Sequence, residues 1–415
     1  MKNIAVFAGF LLMSFVFTAA VSAQDGLLYG KVYTVDNDVL EGYIRWDRNE
    51  TSWDDILDGD KELDREYRSR YRDRDYSDDD RRIFQGGRIE IFGVSIFGNE
   101  WPSQASSGLR MGHIKTLIPD GDDEVLLILK SGEEVELENG SGDIGEDIRE
   151  ILVDTDDEGI IELYWKDIDK IEFSESPGRQ SSFGKRLYGT LVTRRGDEYN
   201  GFICWDMDEA FDTDILDGQE GHRKRKMEFK DIKMIERRSS KSALVTLQND
   251  KKIRLDDSND VDDSNRGIVV SDNELGRVLV TWDEFDYVEF RNPPEGTPYS
   301  EYDGGKKLYG TVKTERGKEY KGEIKWDADE AYTWELLDGK IDDIDFSVEF
   351  SKIKSIDKTA RRGSEVTLKD GRKLRLRDSN DIDDGNKGVI VLVNGDDDDE
   401  VMIEWEDFES IRFDH

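Results

Sequence analysis

The feature that most constrains this chain is its internal repetition. Leu187-Tyr188-Gly189-Thr190 recurs as Leu308-Tyr309-Gly310-Thr311, 121 positions later. The shift runs without a gap to about Val270 and Val391, with close to half the positions identical. A more divergent copy starts at Leu28-Tyr29-Gly30 and ends near Phe173. Repetition at a fixed period means that one supersecondary unit is reused, so apolar surface is buried copy by copy. The expected organisation is a repeat over 24–176 with a charged insertion at about 60–113, a second over 177–297 and a third over 298–415. Residues 174–186 and 291–307, with their Ser, Gly and Pro, read as spacers.

Within a copy the local signals are those of short strands. In the third, residues 310–317 and 320–326 alternate around Gly317, a hairpin pattern, and further short runs follow, separated by Gly, Asp and Asn. Two steps end alike: Phe350-Ser-Lys-Ile353-Lys-Ser-Ile356 and Trp405-Glu-Asp-Phe408-Glu-Ser-Ile411. Here the chain resembles the SH3-like and Sm-like small β-barrels, over most of 28–413. The resemblance implies a mainly all-β fold with a front and a rear SH3-like half-barrel in each repeat. It names a fold and carries over no functional residue. Residues 65–82 of the insertion, mixed in charge and without apolar period, read as loop or exposed helix, and 89–97 as an extra hairpin.

The beginning of the chain reads as a secretory signal peptide over 1–23. Lys2 is followed by an apolar run from Ile4 to Phe17 and a small-residue cleavage site at Val21-Ser22-Ala23. No later stretch approaches the roughly 20 apolar residues needed to span a bilayer, so the processed chain is expected in a periplasm or outside the cell, without a membrane anchor. The single cysteine, Cys204, excludes an intramolecular disulfide and sits in an apolar strand-like run as a buried thiol. Lys and Arg number 59 against 97 Asp and Glu, a formal charge of −38. Such a field repels nucleic acid and favours cations and basic partners.

Two constellations carry candidate chemistry. The first is Trp-Asp-x-x-Glu followed by Leu-Asp-Gly: Trp46, Asp47, Glu50, Leu57, Asp58 and Gly59, then Trp205, Asp206, Glu209, Leu216, Asp217 and Gly218, then Trp326, Asp327, Glu330, Leu337, Asp338 and Gly339. Paired carboxylates beside tryptophan suit a glycosidase. A capping box on one short helix per repeat, stopped by the glycine, uses the same residues structurally and is the preferred expectation. Most tryptophans fall at period two with Val and Ile, on a core face. Trp53, Trp101 and Trp334 lie outside that pattern and are the places to look for a sugar platform.

The second constellation is an acidic loop, with Asp257, Asn259, Asp260 and Asp262 in the second copy and Asp378, Asn380, Asp381 and Asp383 in the third. Calcium takes six to eight oxygens, and these residues are its candidate metal ligands, although the spacing is not that of an EF-hand. An Asx-rich turn is the alternative. The first copy reads Gly140-Ser141-Gly142-Asp143-Ile144-Gly145, a chance match to a dinucleotide loop, since the sister copies put Asp and Asn at those glycines. His113, His222 and His415 occupy no matching positions, and no catalytic motif is found.

The sequence therefore leads to an exported, non-catalytic binding or scaffold protein of repeated β modules, with calcium as the one candidate cofactor. Its expected partners are an envelope or extracellular protein or a polysaccharide. The alternative is an enzyme acting on extracellular polysaccharide through Asp/Glu pairs, with the insertion as the place for a unique site.

Overall fold

The computed structural model describes residues 26–62, 90–91, 94–95, 104–140, 142–393 and 399–415. The signal peptide read at 1–23, the tract 65–82 and Trp101 lie outside them. The chain is all-β, with two large antiparallel sheets and short 3-10 turns. Among the described residues no helix is long and apolar enough to cross a membrane.

Strands fall into three runs. The first holds β1 (Tyr29–Thr34), β2 (Val39–Trp46), β3 (Ile56–Glu62), β4 (Glu90–Ile91), β5 (Val94–Ser95), β6 (Gln104–Arg110), β7 (Ile114–Asp120), β8 (Glu124–Leu129), β9 (Glu134–Glu138), β10 (Ile151–Thr155), β11 (Gly159–Leu163) and β12 (Ile168–Phe173). The second holds β13 (Tyr188–Thr193), β14 (Glu198–Cys204), β15 (Ile215–Glu220), β16 (Arg223–Glu228), β17 (Ile232–Ser239), β18 (Ser242–Leu247), β19 (Lys252–Asp256), β20 (Ile268–Asp272), β21 (Gly276–Val280) and β22 (Phe285–Phe290). The third holds β23 (Tyr309–Thr314), β24 (Glu319–Lys325), β25 (Leu336–Ile341), β26 (Ile344–Glu349), β27 (Ile353–Ala360), β28 (Gly363–Leu368), β29 (Lys373–Arg377), β30 (Val389–Leu392), β31 (Glu400–Ile403) and β32 (Phe408–Phe413).

Alternation makes these segments strands: β8, Glu-Val-Leu-Leu-Ile-Leu, buries every second residue, and so does β29, Lys-Leu-Arg-Leu-Arg. Gly196 and Gly317 turn the first hairpin of the second and third runs at φ 91° and 75°, a conformation that favours glycine, and Asn37 does so in the first at 70°. The expected hairpin near 89–97 is the β4–β5 pair.

Pairing is nested. In the second run β14 pairs with β13 and β20, β20 with β21, and β22 with β13 and β17, while β15 to β19 pair among themselves. The third run repeats this scheme strand for strand, and so does the first apart from its separate β4–β5 pair. The expected front and rear halves are thus corrected: the first two and last three strands form one group, and the middle five are inserted. Register explains it, since each closing strand pairs with the opening strand and with the middle strand that follows the 3-10 turn.

The expected short helix is also corrected. Residues after Trp46, Trp205 and Trp326 form a tight turn with positive φ at Asp47 and Arg48, Asp206 and Met207, Asp327 and Ala328. Each tryptophan bridges its glutamate four residues on. The Leu-Asp-Gly step lies inside β3, β15 and β25, where a Cβ on Gly218 or Gly339 would crowd the Cβ of Leu255 or Leu376. The acid nine residues after each tryptophan holds the next turn. Asp55 accepts from the Thr51 and Ser52 amides, Asp214 from Ala210 and Phe211, and Glu335 from Ala331 and Tyr332.

The three runs form one packed body. β21 joins β26, so the second and third runs share a 20-stranded sheet. Arg186 binds Asp55 at 2.8 Å, Arg45 grips Asp214 at 2.8 and 3.0 Å, and Lys61 binds Glu335 at 2.5 Å, each pair crossing between runs. The expected spacers are packed rather than loose. Phe183 is buried against Phe211, and Tyr299 and Tyr302 are buried on the first run, where Tyr299 donates to the Ile114 carbonyl at 2.7 Å.

Candidate functional site: a carboxylate cluster repeated three times

The structure merges the two sequence constellations into one unit. Trp46, Trp205 and Trp326 are fully buried in edge-to-face contact with Trp165, Trp282 and Trp405, at centroid distances of 6.1, 6.3 and 6.2 Å. Their indole N–H groups donate to the carbonyls of Asp143, Asp260 and Asp381 at 2.8, 2.9 and 2.8 Å. The carboxylates of those same loop aspartates accept from the backbone amides of Asp58, Asp217 and Asp338 at 3.0, 2.5 and 2.6 Å. Each acidic loop is therefore fastened at both ends of one residue, to the core tryptophan and to the Leu-Asp-Gly strand.

The turn aspartate completes the closure. Asp47 and Asp206 accept from the amides of Arg149 and Arg266, each at 2.6 Å, and Asp327 accepts from the Lys387 amide. The same three side chains supply cations: Arg149 to Asp47 at 3.1 Å, Arg266 to Asp206 at 3.2 Å, and Lys387 to Asp327 at 3.1 Å. Sequence reasoning missed these basic residues, although Arg266 and Lys387 occupy matching positions just after the loop.

The residues expected to ligate a metal, four in each of two loops, are turned in different directions within each loop. Asp257 and Asp378 are exposed at φ 57° and 58°. Asn259 and Asn380 donate to Asp206 and Asp327. Asp262 and Asp383 accept from the amides of Ser264 and Gly385, local Asx turns. Only Asp260 and Asp381 turn inward. Among the described residues, the carboxyl groups that do gather in threes are Asp206, Glu209 and Asp260 in the second run and Asp327, Asp329 and Glu330 in the third, with one oxygen of each within 4.8 Å of the others.

In all three copies the glutamate is the odd member. One carboxyl oxygen of Glu50, Glu209 and Glu330 is buried without a hydrogen-bond partner, and Glu50 and Glu330 are 4% and 7% exposed. Burial first, and neighbouring carboxylates second, push Glu209 up to about 10 and move Glu50 and Glu330 in the same direction. Such a group holds a proton or faces a cation.

Trp53 and Trp334 are buried, Trp53 against Tyr299 and Trp334 stacked on Tyr332, so neither offers a sugar platform. Cys204 is buried and its thiol is pushed well up by burial and nearby carboxylates.

A second polar cluster sits where the runs meet, and no sequence signal pointed to it. Arg110 donates to the Asn273 side chain and carbonyl at 3.0 and 3.1 Å and lies 3.4 Å from Glu349 and 3.6 Å from Asp54. Tyr302 donates to Asp54 at 2.6 Å. The Gly304 amide donates to His113 Nδ1 at 3.2 Å, which leaves the ring proton on Nε2, facing Glu349 at 3.4 Å. Burial alone would raise Glu349, but Arg110 and His113 outweigh it and hold the group down at about 2. Comparison with known proteins returned no matching family model, no similar curated protein and no similar solved structure.

Proposed function

We propose that the chain is a non-catalytic, exported scaffold or binding protein built from three β modules related to small SH3-like barrels, working in a periplasm or outside the cell. One observation carries this reading. The residues with the chemistry for catalysis recur in three copies and make the same internal bonds in each, from tryptophan to loop aspartate to strand amide. A catalyst needs carboxyl groups aimed at a substrate bond, whereas the loop and turn aspartates here accept from the protein's own backbone amides. Three rigidly joined modules suit presentation of several weak sites at fixed spacing, where a second contact benefits from effective concentration. The partner class is an envelope or extracellular protein or polysaccharide.

The test is to run the mature protein through gels containing soluble polysaccharides while assaying the same polymers for released reducing ends. Retardation without product supports the scaffold. Product that disappears in Glu209→Gln, with the melting temperature kept, replaces it with the polysaccharide-cleaving alternative.

A second reading, calcium as a structural clip, is favoured by the convergence of Asp206, Glu209 and Asp260 around an unpartnered carboxyl oxygen. Oxygen-only donors suit a hard cation, while Arg266, already on Asp206, competes for the same charge. A melting temperature raised by calcium and not by magnesium, and unresponsive in Asp260→Ala, supports the clip. Equal responses to the two ions remove it.

A further inference from the structure

The joint between the second and third runs is a strand-edge contact with a defined register: Arg277 opposite Ser347, Val278 opposite Phe346, Leu279 opposite Asp345. Because the runs share one pairing scheme, each strand of this joint has counterparts. β11 corresponds to β21, since Thr155 faces Gly159 as Asp272 faces Gly276. β16 corresponds to β26, since Ile215 faces Glu228 as Leu336 faces Glu349. Yet β11 and β16 do not pair with each other. Among the described residues β11 pairs only with β10 and β16 only with β15.

Three observations mark these edges as complementary. The first is space. Gly276 and Gly159 share positive φ, 88° and 77°, but a Cβ on Gly276 would strike the Ser347 carbonyl of the incoming strand, whereas Gly159 has nothing within 4 Å. The place taken by a strand at one glycine is open at the other. The second is charge. β16 reads Arg-Lys-Arg-Lys-Met-Glu, a basic edge on a chain of charge −38, while β11 carries Glu162 and follows Asp156, Asp157 and Glu158. The third is exposure. Ile160 on β11 is 49% exposed, and Tyr164 beside it and Ile215 opposite the end of β16 are also among the exposed large apolar residues.

We propose that a second copy of this chain is the occupant: β11 of one molecule adds to β16 of the next in the register of the β21–β26 joint. That register sets Ile160 opposite Lys226, Ile161 opposite Arg225 and Glu162 opposite Lys224, the last an opposite-charge cross-strand pair. Lysine and arginine on an edge normally discourage strand addition. Here they discourage β16 from pairing with itself and leave an acidic strand as the acceptable neighbour. Arg225 and Lys226 now bind Glu220 and Asp217 of their own hairpin through exposed pairs, which are weak and exchangeable. The contact is heterologous, so a molecule that has used its β11 still offers its β16 to the next; β31 and β6, the remaining counterparts of the joint strands, also pair on one side only among the described residues but lack the charge match.

Sedimentation velocity of the mature full-length chain over a concentration series tests this. The expected result is mass above the monomer that grows with concentration and falls with added salt. Glu162→Lys and Lys224→Glu should each weaken association several-fold to about tenfold, with melting temperatures unchanged because both sites are on the surface. The double variant, which swaps the charges, should recover it. A wild type that stays monomeric at every concentration overturns the proposal, as does association that neither single variant weakens.

Discussion

The inter-run junction and the repeated carboxylate clusters are both buried and acidic, but they resolve their charge in opposite ways. At the junction Glu349 meets Arg110 and the His113 N–H, and its carboxyl group is held at about 2. In the clusters Glu209 meets Asp260 and other carboxylates, and its carboxyl group is pushed up to about 10. Burial disfavours charge in both places; what differs is whether a cation meets the glutamate itself, since first-run cations near the clusters bond their neighbours, Arg149 to Asp208 and Lys61 to Glu335. Arg110 comes from the first run to a glutamate of the third, whereas Arg266 and Lys387 are spent on the turn aspartates of their own run. The contrast is between a buried glutamate that has its own cation and one whose neighbours take the cations.

Removing the delivered cation is the strongest way to break the comparison. Arg110→Ala leaves Glu349 and Asp54 buried without their guanidinium, and loss of one partner of a buried pair costs about 3–5 kcal/mol. Denaturant unfolding is expected to show that loss, together with separate transitions for the runs. A loss within 1 kcal/mol, about the value of a surface pair, would mean that the edge joint and the packed connector hold the body together unaided.

Acid probes the same contrast at smaller cost. The folded-state value of Glu349, about 2, lies below the ordinary glutamate value of about 4.3. Its contribution is therefore complete above the ordinary value and is lost as pH falls through about 2. Melting followed from pH 5 to pH 2 should show wild type losing stability that Glu349→Gln, already weakened, does not lose further. Parallel curves for the two proteins would remove Glu349 as the source.

Much of the fold was legible in the sequence, for reasons that also mark where legibility ends. Alternation on either side of Gly317 and in the short runs that follow, β29 among them, is local, and it gave an all-β reading that the sheets bear out. Nested pairing was not legible, because β14 meets β20 across 65 to 69 positions and nothing in either strand names its partner. The helix after Trp326 was misread for a chemical reason. An acid three residues before another fits a capping box, and it equally fits a turn whose first aspartate adopts positive φ and accepts from a distant loop, as Asp327 does from Lys387. The candidate site was half legible: both acidic constellations were seen, but not that Trp205 ties them together through Asp260. Arg110, present in one copy only, gave no repeat signal.

The smallest expected effect sharpens the comparison most, because its sign depends on what faces the orphan carboxyl oxygens. Glu209→Gln preserves the shape of a protonated carboxyl group and cannot ionise beside Asp206 and Asp260. If Glu209 holds a proton, the substitution relieves the cost of keeping that proton at neutral pH, where an unfolded glutamate is ionised. The melting temperature in chelator should then rise, by about 1 °C for each kcal/mol relieved in a chain of this size. If the oxygens face calcium instead, the same substitution removes a ligand, and the calcium-dependent part of the melting temperature should vanish while the value in chelator stays where it was. Glu349→Gln provides the contrast within one experiment, since there the substitution removes a charge that has its cation and must destabilise. Opposite signs at Glu209 and Glu349 in chelator would establish that one fold keeps buried acids in two states, neutral inside each module and ionised between modules. Equal signs would mean that the clusters draw on a cation as the junction does.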